Sequence, residues 1–164
     1  MSKTNHLFAL ARALGLATAA SAQPAEAPPT QGTAWLNMQM TALARRHGAE
    51  GWRVTPSGLR WRRIAGDGAG ARPGPTDRVT VHYVGTFADG REFDSSIRRG
   101  EPTSFPLNRV IKGWQEGVAL MGVGDTIELA IPWQLAYGAD GKGPIPGGAT
   151  LLFTVELLGV EPAG

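Results

Sequence analysis

The sequence predicts an α+β fold in which one short helix lies against an antiparallel sheet. Residues 79–84, 125–131 and 149–160 alternate apolar and other side chains with the period of a strand. Asp89-Gly90, shortly after the first run, is a strong hairpin dipeptide. In the body of the chain a helical period appears at Trp114, Val118 and Met121, which fall at i, i+4 and i+7. The 23 Gly and 12 Pro among 164 residues separate many short runs, as strands and turns require and a helical bundle does not.

Residues 1–22 have the build of an export signal: Lys3 near the start, a largely apolar run from Leu7 to Ala20 interrupted by Arg12, and Ala20-Ser21-Ala22 as a small-residue cleavage site before Gln23. The run is too short to read as a membrane-spanning helix. A periplasmic or secreted protein, with no stable membrane insertion after signal removal, is the expectation. Cleavage after Ala22 takes two of the 16 basic residues and none of the 14 acidic ones, leaving 14 of each. That balance argues against nucleic acid as a partner despite the pI near 9.4, because counterion release needs a concentrated basic surface.

Residues 23–32, with Pro24, Pro28 and Pro29, read as a linker that buries little. Residues 33–54 form a short helical amino-terminal segment. Its helix is expected over Thr33 to His47, with Trp35, Met38, Ala42 and Leu43 on the apolar side and Gly48 as the stop. It serves either as a packing appendage or as a dimerisation helix.

The main domain is expected over residues 55–164. Thr55-Pro56-Ser57-Gly58 opens a strand from Leu59 to Ile64, read as an edge strand because its arginines discourage edge pairing. The loop from Gly66 to Pro75 has a Gly-x-Gly-x-Gly spacing, but Pro73 and Pro75 stand where a phosphate-receiving helix would start. After the hairpin, Thr103 to Pro106 is extended. Gln115 and Glu116 lie on the outward side of the Trp114 helix, which Gly122 to Gly124 ends. The two last strands flank a Gly/Pro-rich segment carrying Tyr137.

Several chemistries find no support. The chain has no Cys, which excludes disulfides, thiolate metal sites and Cys nucleophiles. His6, His47 and His82 are too scattered to suggest a metal cluster, and His82 on a strand face reads as structural. Ser95 and Ser96 lack a nucleophile-elbow pattern and no His follows them.

Over about residues 57–160 the ordered blocks Ser57-Gly58-Leu59, Val79 to Gly85, Asp89-Gly90, Phe93-Asp94-Ser95-Ser96, Val110-Ile111-Lys112-Gly113-Trp114, Gly117-Val118, Ala136-Tyr137-Gly138, Ala149 to Phe153 and Val155-Glu156-Leu157 closely resemble the FKBP-type peptidyl-prolyl cis-trans isomerase family, in particular its exported bacterial members. The resemblance implies a twisted antiparallel sheet wrapped around the short helix, with an apolar pocket between them. It also implies Trp114 as the pocket floor, Tyr83, Phe93, Val110, Ile111, Tyr137 and Phe153 around it, Asp94 near the rim, Phe105 supporting a wall and Ile145 contributing to substrate binding. Tyr83, Phe93, Asp94, Trp114 and Tyr137 carry the catalytic role in that reading. The implied partners are proline-containing peptides and folding proteins, with a macrolide as a candidate ligand; no cofactor and no metal is implied. A non-catalytic peptide-binding chaperone module using the same groove is the alternative.

Three positions depart from the family pattern. Thr103 stands where many relatives place an aromatic, Leu107-Asn108-Arg109 is a shortened segment, and Trp133 follows Pro132 where a small or polar residue is the rule.

Overall fold

In the computed structural model, which describes Phe8–Ala9 and residues 31–164, the amino-terminal elements are β1 (Phe8–Ala9), α1 (Thr33–Ala44), β2 (Arg53–Val54) and β3 (Arg60–Ala65). There follow β4 (Arg78–Phe87), β5 (Glu92–Ser95), α2 (Ser96–Arg99), β6 (Thr103–Pro106) and α3 (Lys112–Val118). The chain ends with β7 (Thr126–Ile131), a small hairpin of β8 (Gly141–Lys142) and β9 (Ile145–Pro146), and β10 (Leu151–Glu161). Short 3-10 turns cover Leu107–Arg109 and Trp133–Leu135. The expected export signal and Pro-rich linker lie outside the described residues, apart from Phe8–Ala9, Gln31 and Gly32.

The main sheet runs β1-β4-β10-β7-β3-β2, with β5 and β6 also paired to β4. Its pairings are antiparallel except for β1 on β4. Strict alternation fixes the register. Val79, Val81, Tyr83 and Gly85 of β4, Phe153, Val155 and Leu157 of β10, and Ile127, Leu129 and Ile131 of β7 all turn to one buried face. A slip of one residue would turn every one of them to the other face. Helix α3 packs on that face through Trp114 and Val118, both fully buried. Two glycines set how close it comes. A Cβ at Gly113 would lie 2.5 Å from Ile131 Cγ2, and one at Gly117 would lie 2.7 Å from Leu129 Cδ2. The i, i+4 pair therefore seats α3 directly on β7.

The Gly-rich loop before β4 has a structural cause for its composition. A Cβ at Gly70 would stand 2.1 Å from the Val123 carbonyl oxygen, and one at Gly66 would meet the Asp125 carboxylate. Asp125 is buried and accepts from the backbone N–H of Gly68 (3.0 Å) and Gly122 (2.9 Å) and from Arg63 Nε (3.1 Å). Burial works against its charge, but these donors outweigh it and hold the carboxyl below its ordinary range.

Two expectations need correcting. Helix α1 ends at Ala44, not His47, and its inward side is Trp35, Gln39 and Ala42 at i, i+4 and i+7, whereas Met38 is exposed. Hydrophobicity alone misplaced that face, because a glutamine with buried hydrogen-bond partners displaced a methionine from it. Strand β3 is not an edge along its whole length: β2 pairs with Arg60 and Trp61 and leaves the rest of that side open. Strand β2 pairs with β3 and Gln39 of α1 reaches Thr150, so residues 33–54 pack against the rest of the chain.

Candidate functional site

The site is assembled from the hairpin of β4 and β5, helix α3, and the segment from Tyr137 to Phe153. Strand pairing puts Gly85 opposite both Phe153 and Asp94. The missing side chain is what admits the rings: a Cβ at Gly85 would lie 2.6 Å from Phe153 and 2.7 Å from Phe93. Phe93 and Phe153 then meet edge to face, 5.5 Å between centroids. Trp114 reaches the same point from α3 and makes edge contacts with Tyr83 (5.7 Å), Phe153 (5.4 Å) and Phe105 (5.7 Å). Such T-shaped pairs add about 0.5–1.5 kcal/mol each beyond their burial.

The ten expected site residues divide into two groups by burial. Tyr83, Phe105, Trp114, Ile145 and Phe153 are buried members of the core cluster. Phe93, Val110, Ile111 and Tyr137 pack against it half-buried, and Asp94 is half-buried beside them. Trp114 itself exposes no surface, so the floor is covered by its own walls.

The polar groups are disposed unevenly. The Tyr83 hydroxyl donates to Asp94 Oδ2, and the Arg99 guanidinium donates to Asp94 Oδ1. Arg99 Nη2 also donates to the Tyr83 oxygen at 3.2 Å and to Thr103 Oγ1 at 3.3 Å, and the guanidinium lies over the Tyr83 ring at 5.5 Å. Both Asp94 oxygens are engaged and the Tyr83 proton is committed to it. Burial, reinforced by the bond to Asp94, raises the Tyr83 hydroxyl far above its ordinary range. Burial and then the Asp94 charge raise Tyr137 as well. Both phenols are therefore neutral donors at physiological pH.

Three donors of the expected site, by contrast, have no described acceptor. Trp114 Nε1 is buried without a hydrogen-bond partner, and neither the Tyr137 hydroxyl nor the Ile111 N–H donates to any described group. Gln115 Nε2 donates to the Val110 carbonyl at 2.8 Å and so fixes the corner that presents Ile111.

Arg99 is missing from the sequence reading, and Gln115 figures there only as an outward-facing residue of its helix. Arg99 had a findable signal. Ser95 caps the single turn α2 by accepting from the Arg98 N–H (3.2 Å), and Gly100 closes it at φ 77°. A Ser-x-x-Arg-x-Gly pattern directly after Asp94 predicts such a turn, which returns the next side chain under the aspartate. His82 takes the structural place expected of it, with Nδ1 2.8 Å from Ser96 Oγ.

Open clefts lie elsewhere. A cleft of about 690 Å³ lies under α1 on the other face of the sheet, lined by Arg45, Arg46, Glu50, Arg62 and Glu128 among others. Arg62 pairs there with Glu128 and with Glu50, and Arg46 and Arg62 stack on Trp52. Its polar groups are matched to one another, as in a solvated face, and do not converge on a common point.

Comparison with known proteins agrees with the geometry. The FKBP-type peptidyl-prolyl cis-trans isomerase pattern matches residues 70–158. The chain is 52% identical over 119 residues to the FKBP-type peptidyl-prolyl cis-trans isomerase FkpA of Aeromonas hydrophila, covering 73% of this chain and 44% of that protein. It is 45% identical over 111 residues to the outer membrane protein MIP of Legionella longbeachae, covering 67% of this chain and 47% of that one. The crystal structure of FkpA from Escherichia coli superposes with a TM-score of 0.73 at 41% identity, covering 78% of this chain and 59% of the other. The chain thus spans less than half the length of the two curated relatives. With a family pattern running through more than half of its residues and an aromatic site built from them, the chain belongs to the FKBP-type peptidyl-prolyl cis-trans isomerase family.

Proposed function

We propose that the protein accelerates rotation about X-Pro bonds in peptides and folding proteins, at the site formed by Tyr83, Phe93, Asp94, Trp114 and Tyr137 with Val110, Ile111, Phe105, Ile145 and Phe153. The observation that carries this reading is the pairing of a buried aromatic cluster with donors unspent on its rim and floor.

Peptide-bond rotation crosses a barrier of about 18–20 kcal/mol because the twisted amide has lost its resonance. For X-Pro both ground states are accessible, and exchange takes tens to hundreds of seconds. No bond has to break. The twisted amide is less charge-separated than the planar one, so an enclosure that withholds water disfavours the planar states relative to the twisted one. Tighter binding of the twisted state than of either ground state is catalysis.

In this mechanism the proline ring enters between Phe93, Val110, Ile111 and Phe153 and rests toward Trp114, parting the half-buried walls. The Tyr137 hydroxyl and the Ile111 N–H each donate to a substrate carbonyl. Asp94, with both oxygens held by Tyr83 and Arg99, acts by its charge and by orienting the rim. It abstracts no proton, since rotation needs none.

Catalysed cis-to-trans exchange of a short X-Pro peptide tests the proposal, with Tyr137→Ala and Asp94→Ala as site variants. Absence of catalysis by the wild type, together with suppression of client aggregation, would favour the non-catalytic chaperone module. Export rests on Lys3, the apolar run and Ala20-Ser21-Ala22, and the outer membrane relative adds support. A mature amino terminus at Gln23 is the expected result; an intact Met1 in the cytoplasmic fraction would contradict it.

A further inference from the structure

We infer that α1 is a strap on the isomerase pocket and that Gln39 is a positioning residue acting through the segment from Gly138 to Thr150; the inference rests on the proposed site. Gln39 is the buried polar side chain of α1, whose other buried residue is Ala42. Its Oε1 accepts from the Thr150 N–H at 2.9 Å, and its own carbonyl accepts from Thr150 Oγ1 at 3.2 Å, across 111 residues of sequence. Both groups of Thr150 are thus satisfied by α1, at the residue before β10 begins.

Two further contacts reinforce the attachment. Gln31 Nε2 donates to the Gly147 carbonyl at 2.5 Å, and the Trp35 indole covers Gly148, where an added Cβ would sit 3.7 Å from the ring. Gly148 in turn donates to the Gly138 carbonyl at 2.9 Å, which closes the loop at the residue after Tyr137. The strap therefore grips a segment that carries Ile145, begins beside Tyr137 and runs on to Phe153 three residues later. All three belong to the proposed pocket. The loop interior is packed tightly enough to carry a displacement: an added Cβ would lie 1.9 Å from the Ala139 carbonyl oxygen at Gly147, and 2.2 Å from the Ile145 carbonyl oxygen at Gly141. Misplacement of loop-borne groups is costly to turnover even when their chemistry is intact.

The test uses the full chain. Gln39→Met keeps the bulk and removes the acceptor, whereas Gln39→Glu keeps an acceptor for the Thr150 N–H. Trp35→Ala removes the cover over Gly148 and leaves the Thr150 bonds in place, and Met40→Ala, on the exposed side of the same helix, is the control. Each is assayed for kcat and KM on an X-Pro peptide and for amide exchange at Gly147 to Leu151. The expected result is a roughly tenfold fall in kcat/KM for Gln39→Met, with faster exchange at Thr150, unchanged exchange in β4 and recovery in Gln39→Glu. Trp35→Ala shows a smaller fall, and Met40→Ala none. Full kcat/KM in Gln39→Met and Trp35→Ala, while exchange at Thr150 is accelerated, overturns the strap. Tyr137→Ala, measured beside them, separates the two readings. If it loses turnover while the Gln39 and Trp35 variants keep theirs, the strap alone falls; if all of them keep full activity, the pocket falls with it.

Discussion

The two faces of the central sheet carry similar residue types to different ends. On the helix side, Trp114 is surrounded by Tyr83, Phe105 and Phe153, with leftover donors around an apolar centre. On the other side Trp52 is buried too, but by the guanidinium groups of Arg46 and Arg62, within a polar cleft where Arg62 pairs with Glu50 and Glu128. An opening of about 690 Å³ lies on this second face. What separates a site from a surface here is convergence of unspent donors on an apolar enclosure, not the size of the opening.

The largest effect expected from this contrast is on stability. Trp114→Ala should destabilise the fold by about 3–5 kcal/mol in urea unfolding, since a fully buried indole leaves a cavity. Because that is a large part of the roughly 5–15 kcal/mol that holds a domain together, lost activity in this variant says little about chemistry. Trp52→Ala also lowers stability, yet its turnover, measured below its own transition, should match the wild type. A parallel loss of turnover in Trp52→Ala would erase the distinction between the faces.

Gly85→Ala comes next. The added methyl has no room beside Phe93 and Phe153, and overpacking of this kind costs about 1–3 kcal/mol. It should also lower kcat/KM, whereas Gly90→Ala, at a turn with open space around the glycine, should lower stability slightly through its φ of 89° and leave turnover intact. Arg99→Met should have a milder effect. It frees Asp94 Oδ1 and the face of Tyr83, so kcat/KM should fall by about fivefold, which corresponds to the roughly 1 kcal/mol of an ordinary hydrogen bond, with the melting temperature little changed because the ion pair is partly solvent-exposed.

The smallest effects are in pH dependence. Asp125 is held below its ordinary range in the folded state, so the unfolded chain binds more protons as acid is added. Its stabilisation is present above about pH 4 and is lost as pH falls through the folded value. Urea midpoints between pH 7 and pH 3 should therefore drop less steeply in Asp125→Asn than in the wild type. Turnover should show no titration between pH 8 and 10 from Tyr83 or Tyr137, whose hydroxyls both ionise above the usual range. A tyrosine-dependent loss of activity in that window would contradict the burial assigned to them.

Much of the fold was legible because its signals are periodic. Alternation along β4, β7 and β10 and the i, i+4 pair of Trp114 and Val118 in α3 mark faces directly, while Met121, the expected third member, lies beyond the helix end. The turn α2 and the hairpin of β8 and β9 were not, since four- and two-residue elements are too short to show a period. Within the site, the aromatics were legible as ordered blocks of sequence. The network behind them was not. Gln115 acts through a long side chain that reaches back to the Val110 carbonyl, which neither hydropathy nor spacing reveals, and Arg99 reaches Asp94 from a turn whose one signal is its cap spacing. Gln39 is the extreme case, its partner being 111 residues away.

The central claim is that half-buried rim donors around an apolar enclosure speed proline rotation. The most direct measurement is the cis-to-trans exchange rate of a short X-Pro peptide with the wild type and with Tyr137→Ala, each below its own unfolding transition. Accelerated exchange by the wild type and a loss of at least about tenfold in the variant, with unfolding midpoints close together, is the predicted result. Equal acceleration by both proteins, or none by the wild type, would contradict it.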